Sequence, residues 1–172
     1  DVTGAENLPG AGVEIVYLVE SIDDAVGDTI SNAAGSKTLQ EVVNEAPDGV
    51  ETTINIQKHV KLGSTLSIPA GKNIKITCDE LYTVLATSGT RGDLVDIAEG
   101  ATLELAGNVA LRGRYNTGSI INSAGALVLS DSATVFDGTV SSTASGAVKL
   151  SGPAASLTMN GGAIEKCTVD EV

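Results

Sequence analysis

The sequence predicts an all-β chain folded as a parallel β-helix, a solenoid of about five coils with a short N-terminal capping helix. Three observations predict it. Apolar pairs in strand-like alternation restart after Gly71, Gly100, Gly125 and Gly152-Pro153, at spacings of 29, 25 and 27 residues. No helical period occurs from residue 50 onward. The apolar share is 42% yet aromatic residues make up only 2%, while glycine numbers 20 in 172 residues. A core of aliphatic side chains alone suits thin, regular, stacked layers.

Residues 1–35 read as an N-terminal extension. Val13-Glu-Ile-Val-Tyr-Leu-Val19 alternates as a strand. Ser21-Ile-Asp-Asp24 has the form of a capping box, with Ile22, Ala25, Val26 and Ile30 at helical spacing and Gly27 weakening the helix. The β-helical part spans 36–172 and opens on a clearer helix at 38–46. Thr38-Leu-Gln-Glu41 is a full capping box, because the Thr hydroxyl accepts from the amide three residues on and Glu41 reaches back. Leu39, Val42, Val43 and Ala46 then form one apolar stripe, and Pro47-Asp48-Gly49 stops the helix.

Three short strands per cycle follow. Ile54/Ile56, Val60/Leu62 and Leu66/Ile68 are the first set. The first position recurs as Ile74/Ile76, Leu103/Leu105, Leu127/Leu129 and Leu157/Met159. Val84/Leu85, Val109/Leu111, Val135/Phe136 and Ile164 take the second position, and Val95/Ile97, Ile120/Ile121 and Val148/Leu150 the third. Leucine-rich repeats share this period, and Leu103-Glu-Leu-Ala-Gly-Asn108 looks like a piece of one. The Asn position is Ser132 and then Gly162 in later cycles, and no helical segment intervenes, so the β-helix is preferred.

Stacked coils place each inward side chain on its equivalent about 4.8 Å away, so branched aliphatics of equal size pack best and rings fit poorly. Glycine and small polar residues turn the corners. An exposed terminal coil is an open sheet edge. The helix at 38–46 is placed to seal the first coil, whereas Cys167-Thr-Val-Asp-Glu-Val172 carries no capping element. The expectation is a fragment of a longer solenoid, with end-to-end self-association through the uncapped C-terminal coil as a further expected contact.

Ten basic against 22 acidic residues give a net charge of −12, which argues against nucleic acid and anionic membrane surfaces as partners. No run approaches the ~20 apolar residues of a membrane span, so no membrane insertion is expected. Cys78 and Cys167 lie 89 positions apart with no metal-ligand spacing and read as buried, unlinked thiols.

Thr38 to Gly49, Thr53-Ile-Asn-Ile56 and Ser64-Thr-Leu-Ser-Ile-Pro-Ala-Gly-Lys-Asn-Ile74 resemble the opening of bacterial surface right-handed β-helix proteins of the pectin-lyase-like type. Glu99-Gly-Ala-Thr-Leu-Glu-Leu105 and Leu157-Thr-Met-Asn-Gly-Gly-Ala-Ile164 resemble their recurring coil motifs. The resemblance covers about 36 to 172 and implies a right-handed coil. It further implies a secreted, wall-anchored, extracellular chain acting as adhesin or stalk, or alternatively a polysaccharide lyase or glycoside hydrolase, or a glycan-binding module. The wall-sorting LPxTG motif is absent from this stretch.

Lyases of that type combine a carboxylate cluster for Ca²⁺ with an Arg or Lys base, and hydrolases use two or three carboxylates. Asp93 and Asp96 with Arg91 are the nearest catalytic candidates. Their opposite strand parity puts the two carboxylates on different faces, and Asp131 and Asp137 belong to the next coil, so solvated turn charges are the plainer reading. His59 alternates outward beside Val60. Arg112, Arg114 and Tyr115 form the one basic and aromatic cluster, a candidate for gripping an acidic glycan. No metal site or cofactor is expected, and nothing in the sequence supports Ca²⁺. The expected function is a non-catalytic surface module whose partner is a host or environmental glycan or a surface protein.

Overall fold

The computed structural model describes residues 13–15, 29–32, 35–86, 92–114, 116–141 and 146–170. Within these, the chain winds through short parallel strands that stack into three sheets, with one short helix at the start. The first sheet takes β1 (Val13–Ile15), β4 (Glu51–Asn55), β7 (Asn73–Thr77), β10 (Thr102–Leu105), β13 (Ala126–Leu129) and β17 (Ser156–Met159) in that order. β5 (Val60–Leu62), β8 (Tyr82–Ala86), β11 (Val109–Arg112), β14 (Thr134–Phe136) and β18 (Ala163–Glu165) make the second. The third holds β6 (Leu66–Ile68), β9 (Val95–Ile97), β12 (Ile121–Ser123) and β16 (Val148–Leu150). A further pair joins β15 (Thr139–Ser141) to β19 (Thr168–Asp170), and β2 (Thr29–Asn32) pairs antiparallel with β3 (Gly35–Thr38).

Counted from one third-sheet strand to the next, the chain completes about three turns rather than the expected five. Each restart of the apolar pairs marks a new strand of the first sheet, whereas a turn closes only when all three sheets advance by a strand. One residue within 1–35 departs from its expected element. Val13–Ile15 is a strand as read, pairing parallel with β4. Ile30, assigned to a helical stripe, lies in β2 instead, and Ser21 to Asp28 fall outside the described residues.

The register accounts for the composition. Ile54, Ile76, Leu105, Leu129 and Met159 form one inward ladder of the first sheet, and Ile74, Leu103, Leu127 and Leu157 another. Val60, Val84, Leu111, Val135 and Ile164 stack the same way in the second sheet. Each fully buried aliphatic contributes roughly 1.5–3 kcal/mol. Corners are tight: a Cβ on Gly125 would lie 2.4 Å from the Ala101 carbonyl oxygen and 2.5 Å from that of Ala98. Gly107 and Asp131 turn the same corner of successive coils with φ of 59° and 56°.

The two ends differ. Helix α1 (Leu39–Glu45) starts on the capping box expected, with the Thr38 hydroxyl accepting from the Glu41 amide at 3.1 Å and Glu41 accepting from the Thr38 amide at 2.7 Å. Leu39, Val42 and Val43 are buried over the first coil. Among the described residues the opposite end has no such cover. Leu150, Met159 and Ile164 are 48%, 49% and 36% exposed, although Leu129 and Val135, one coil earlier on the ladders of Met159 and Ile164, are fully buried.

Candidate functional site

The sequence-derived catalytic candidates are placed apart in role. Asp93 precedes β9 and turns its carboxylate to the next coil, where Oδ1 accepts from the Ser119 amide at 2.7 Å. Its carbonyl accepts from the Thr65 hydroxyl at 2.7 Å, so one residue ties three coils together. Asp96 points outward from β9, exposed, and accepts from Asn122 Nδ2 at 2.9 Å, while the Ser151 hydroxyl donates to Asn122 Oδ1 at 3.0 Å. Arg91 lies outside the described residues. Asp131 Oδ2 accepts from the Gly107 amide at 3.0 Å. Among the described residues no three His, Cys, Asp or Glu side chains gather where they would hold a metal ion.

His59 faces outward as read. Its Nδ1 accepts from the Thr83 amide at 3.0 Å, and its ring stands edge-on to Tyr82, with centroids 5.8 Å apart. The Tyr82 hydroxyl donates to Glu80 at 3.0 Å, which holds the phenol above its ordinary pKa.

Of the ligand-binding candidates, Arg114 is exposed and Tyr115 lies outside the described residues. Arg112 is half-buried and engaged within the protein. Its Nε donates to Asp137 Oδ2 at 2.6 Å, and its guanidinium sits 5.8 Å from the centre of the Phe136 ring. Arg112 therefore supports a ring on the neighbouring strand.

That ring borders a groove of about 390 Å³ on the outer face of the second sheet. Thr83, Ala110 and Thr134 form its floor, as register neighbours on β8, β11 and β14. Leu81, Asn108 and Ser132, each two positions earlier, make one wall. Phe136 with Glu165 and Lys166 makes the other. The groove thus runs across coils, along the solenoid axis, and its volume falls within the range of small-ligand sites. On the first wall Asn108 Nδ2 donates to the Asp79 carbonyl at 2.6 Å, and on the second the exposed Lys166 lies 3.4 Å from Glu165.

Sequence reasoning missed this groove. The signal was available, since small residues at 83, 110 and 134 recur at the coil period two positions after Leu81, Asn108 and Ser132. It is weak because each coil supplies only one short side chain to the floor.

No protein-family model, curated protein or solved structure matches this chain. The fold and the placement of these side chains are what bear on function.

Proposed function

We propose that the chain is a non-catalytic module of a secreted or wall-anchored bacterial surface protein of the pectin-lyase-like type, acting as adhesin or stalk. The observation that carries this reading is the use made of its polar side chains. Asp93, Asp96, Asp131 and Asp137 each accept a hydrogen bond from a neighbouring coil. A lyase or hydrolase needs such carboxylates and a base facing one substrate, at separations set by the bond to be cleaved. Here they fasten coil to coil. Aligned coils with a largely aliphatic interior make a stiff, regular stack, which supports a surface-module reading.

The test is incubation of the chain with pectins, alginates and glycosaminoglycans, with and without Ca²⁺, reading unsaturated-product absorbance and reducing ends. No turnover is expected. Turnover that disappears on Asp93→Asn or Asp96→Asn overturns the reading in favour of a polysaccharide-cleaving enzyme. A glycan and matrix-protein array then separates adhesin from stalk.

A further inference from the structure

We propose that Asn160 is a site of spontaneous deamidation, and that the isoaspartyl product releases β18 from the second sheet. The reaction modifies the main chain at the corner between β17 and β18 and is independent of the surface-module reading.

Three observations carry it. Asn160-Gly161 is the one Asn-Gly step in the sequence, and every other asparagine is followed by a residue bearing a side chain. Asn160 is exposed, and its side-chain amide has no hydrogen-bond partner among the described residues. By contrast, Asn108, Asn116 and Asn122 are tied to the Asp79 carbonyl, the Ser119 carbonyl and Asp96 at 2.6, 2.9 and 2.9 Å. The third observation concerns the attacking amide. Gly107, Asp131 and Gly161 hold one corner position in successive coils, since the Ser132 amide donates to the Gly107 carbonyl and the Gly162 amide to that of Asp131. At Gly107 the amide is held by Asp131 Oδ2 at 3.0 Å. At Gly161 it donates to nothing among the described residues.

The Gly161 nitrogen gives its proton to hydroxide and attacks Cγ of Asn160. A bond forms between them, the Cγ–Nδ2 bond breaks, and Nδ2 takes a proton from water and leaves as ammonia. Glycine favours this closure because no Cβ crowds the approach. Water then opens the succinimide. Breaking the new N–Cγ bond gives aspartate. Breaking the original peptide bond gives isoaspartate, whose main chain runs through Cβ and Cγ and is longer by one methylene.

That methylene has no place at this corner. A Cβ on Gly161 would already lie 2.5 Å from the Asp131 carbonyl oxygen, which the Gly162 amide also meets at 2.8 Å. The chain then enters β18, where Ala163, Ile164 and Glu165 pair with Thr134, Val135 and Phe136. Added main-chain length moves β18 off this register, whereas aspartate adds charge alone. The Asp-Gly steps, open to the same ring closure, are restrained. Asp48 pairs with Lys72 at 2.8 Å while the Gly49 amide donates to the Gly71 carbonyl, and Asp137 is held by Arg112.

The experiment is incubation of the folded chain at neutral and mildly alkaline pH, with peptide mapping and electron-transfer fragmentation to separate aspartate from isoaspartate. The expected result is conversion of Asn160 in the folded protein, faster as pH rises and about tenfold or more ahead of any other asparagine. Hydrogen exchange then reads the strand. Amides of β18 are expected to exchange about tenfold or more faster in the purified isoaspartyl form than in freshly prepared Asn160→Asp, which carries the charge alone. Incubated Asn160→Gln is expected to keep its original exchange, and circular dichroism establishes that both variants are folded. Asn160 that converts in urea but stays intact in the folded chain overturns the site, as does equal conversion of another asparagine. Equal exchange in the isoaspartyl form and Asn160→Asp overturns the release of β18.

Discussion

The side-chain amide of Gln40 pairs with both backbone groups of Ser67. Gln40 Nε2 donates to the Ser67 carbonyl at 2.8 Å, and its Oε1 accepts from the Ser67 amide at 2.7 Å. Ser67 is the middle residue of β6, the edge strand of the third sheet. The amide therefore stands where a neighbouring strand would, and it blunts an edge open to pairing with another chain.

Gln40→Ala is expected to lower unfolding stability by about 1–2 kcal/mol, from two lost hydrogen bonds at an exposed site. Gln40→Glu falls in the same range, because the carboxylate loses the donor and faces the Ser67 carbonyl. Urea midpoints measure both, and light scattering during refolding reports the freed edge. Unchanged midpoints for both variants contradict the assignment.

Asp137 joins two effects at one corner. It accepts from Arg112, and its backbone has a φ of 55°, a left-handed conformation disfavoured for side chains other than glycine. The ion pair is partly exposed and contributes no more than about 1 kcal/mol. Asp137→Gly removes the pair but relieves the backbone, whereas Asp137→Ala removes the pair and keeps the strain. Asp137→Gly is expected to be the more stable variant by about 1 kcal/mol in urea denaturation. The reverse order excludes backbone relief as the larger effect.

Two glycines separate strain from steric conflict. Gly125→Ala drives a methyl group to 2.4 Å from the Ala101 carbonyl oxygen, which pushes adjacent coils apart. Gly100→Ala, with φ of 80° and open space around it, meets only the left-handed penalty. Expected losses are about 3 kcal/mol or more for Gly125→Ala and about 1–2 kcal/mol for Gly100→Ala, read from thermal or urea midpoints. Equal losses would remove coil contact as the reason for Gly125.

The two thiols differ in access. Cys78 is 1% exposed, and burial first of all raises its pKa, so it stays a protonated, shielded thiol. Cys167 is half-buried, with its thiol against the Glu165 carbonyl at 3.2 Å. Ellman's reagent is expected to react with one thiol in the native protein and with two in denaturant. Peptide mapping should place the native adduct on Cys167. Rapid native modification of Cys78 contradicts its burial.

Acid weakens the helical cap through Glu41. Hydrogen bonds from the Thr38 amide and then the Thr38 hydroxyl lower its pKa below the ordinary 4.5. The unfolded chain therefore binds the proton first as pH falls, and stability rises with pH across that window. The contribution is complete above the ordinary value and is lost as pH falls through the folded one. Glu41→Gln is expected to flatten this part of the stability curve, narrowing its difference from the native chain in acid. Parallel curves for the two proteins would remove Glu41 as the source.

The inward ladders were legible because side-chain alternation and a repeat near 27 residues are properties of the chain itself. Thr38 and Glu41 were legible for a similar reason: a capping box is contained within four residues. Number of turns was not, since strands such as β17 and β18 occupy a coil position without completing a turn. Ile30 was misread because its pairing with Lys37 outweighs a local helical spacing already weakened by Gly27.

The sequence by itself determined the stacked aliphatic core, the glycine corners and the helix over the first coil. These depend on period, side-chain size and local hydrogen bonding, all of which one strand of text carries. Only the tertiary structure decided which polar residues face one another. Arg112 with Asp137, Asp96 with Asn122, and the floor at Thr83, Ala110 and Thr134 are joined across coils some 25 residues apart. Strand register sets those contacts, and a slip of one residue would turn each side chain to the other face.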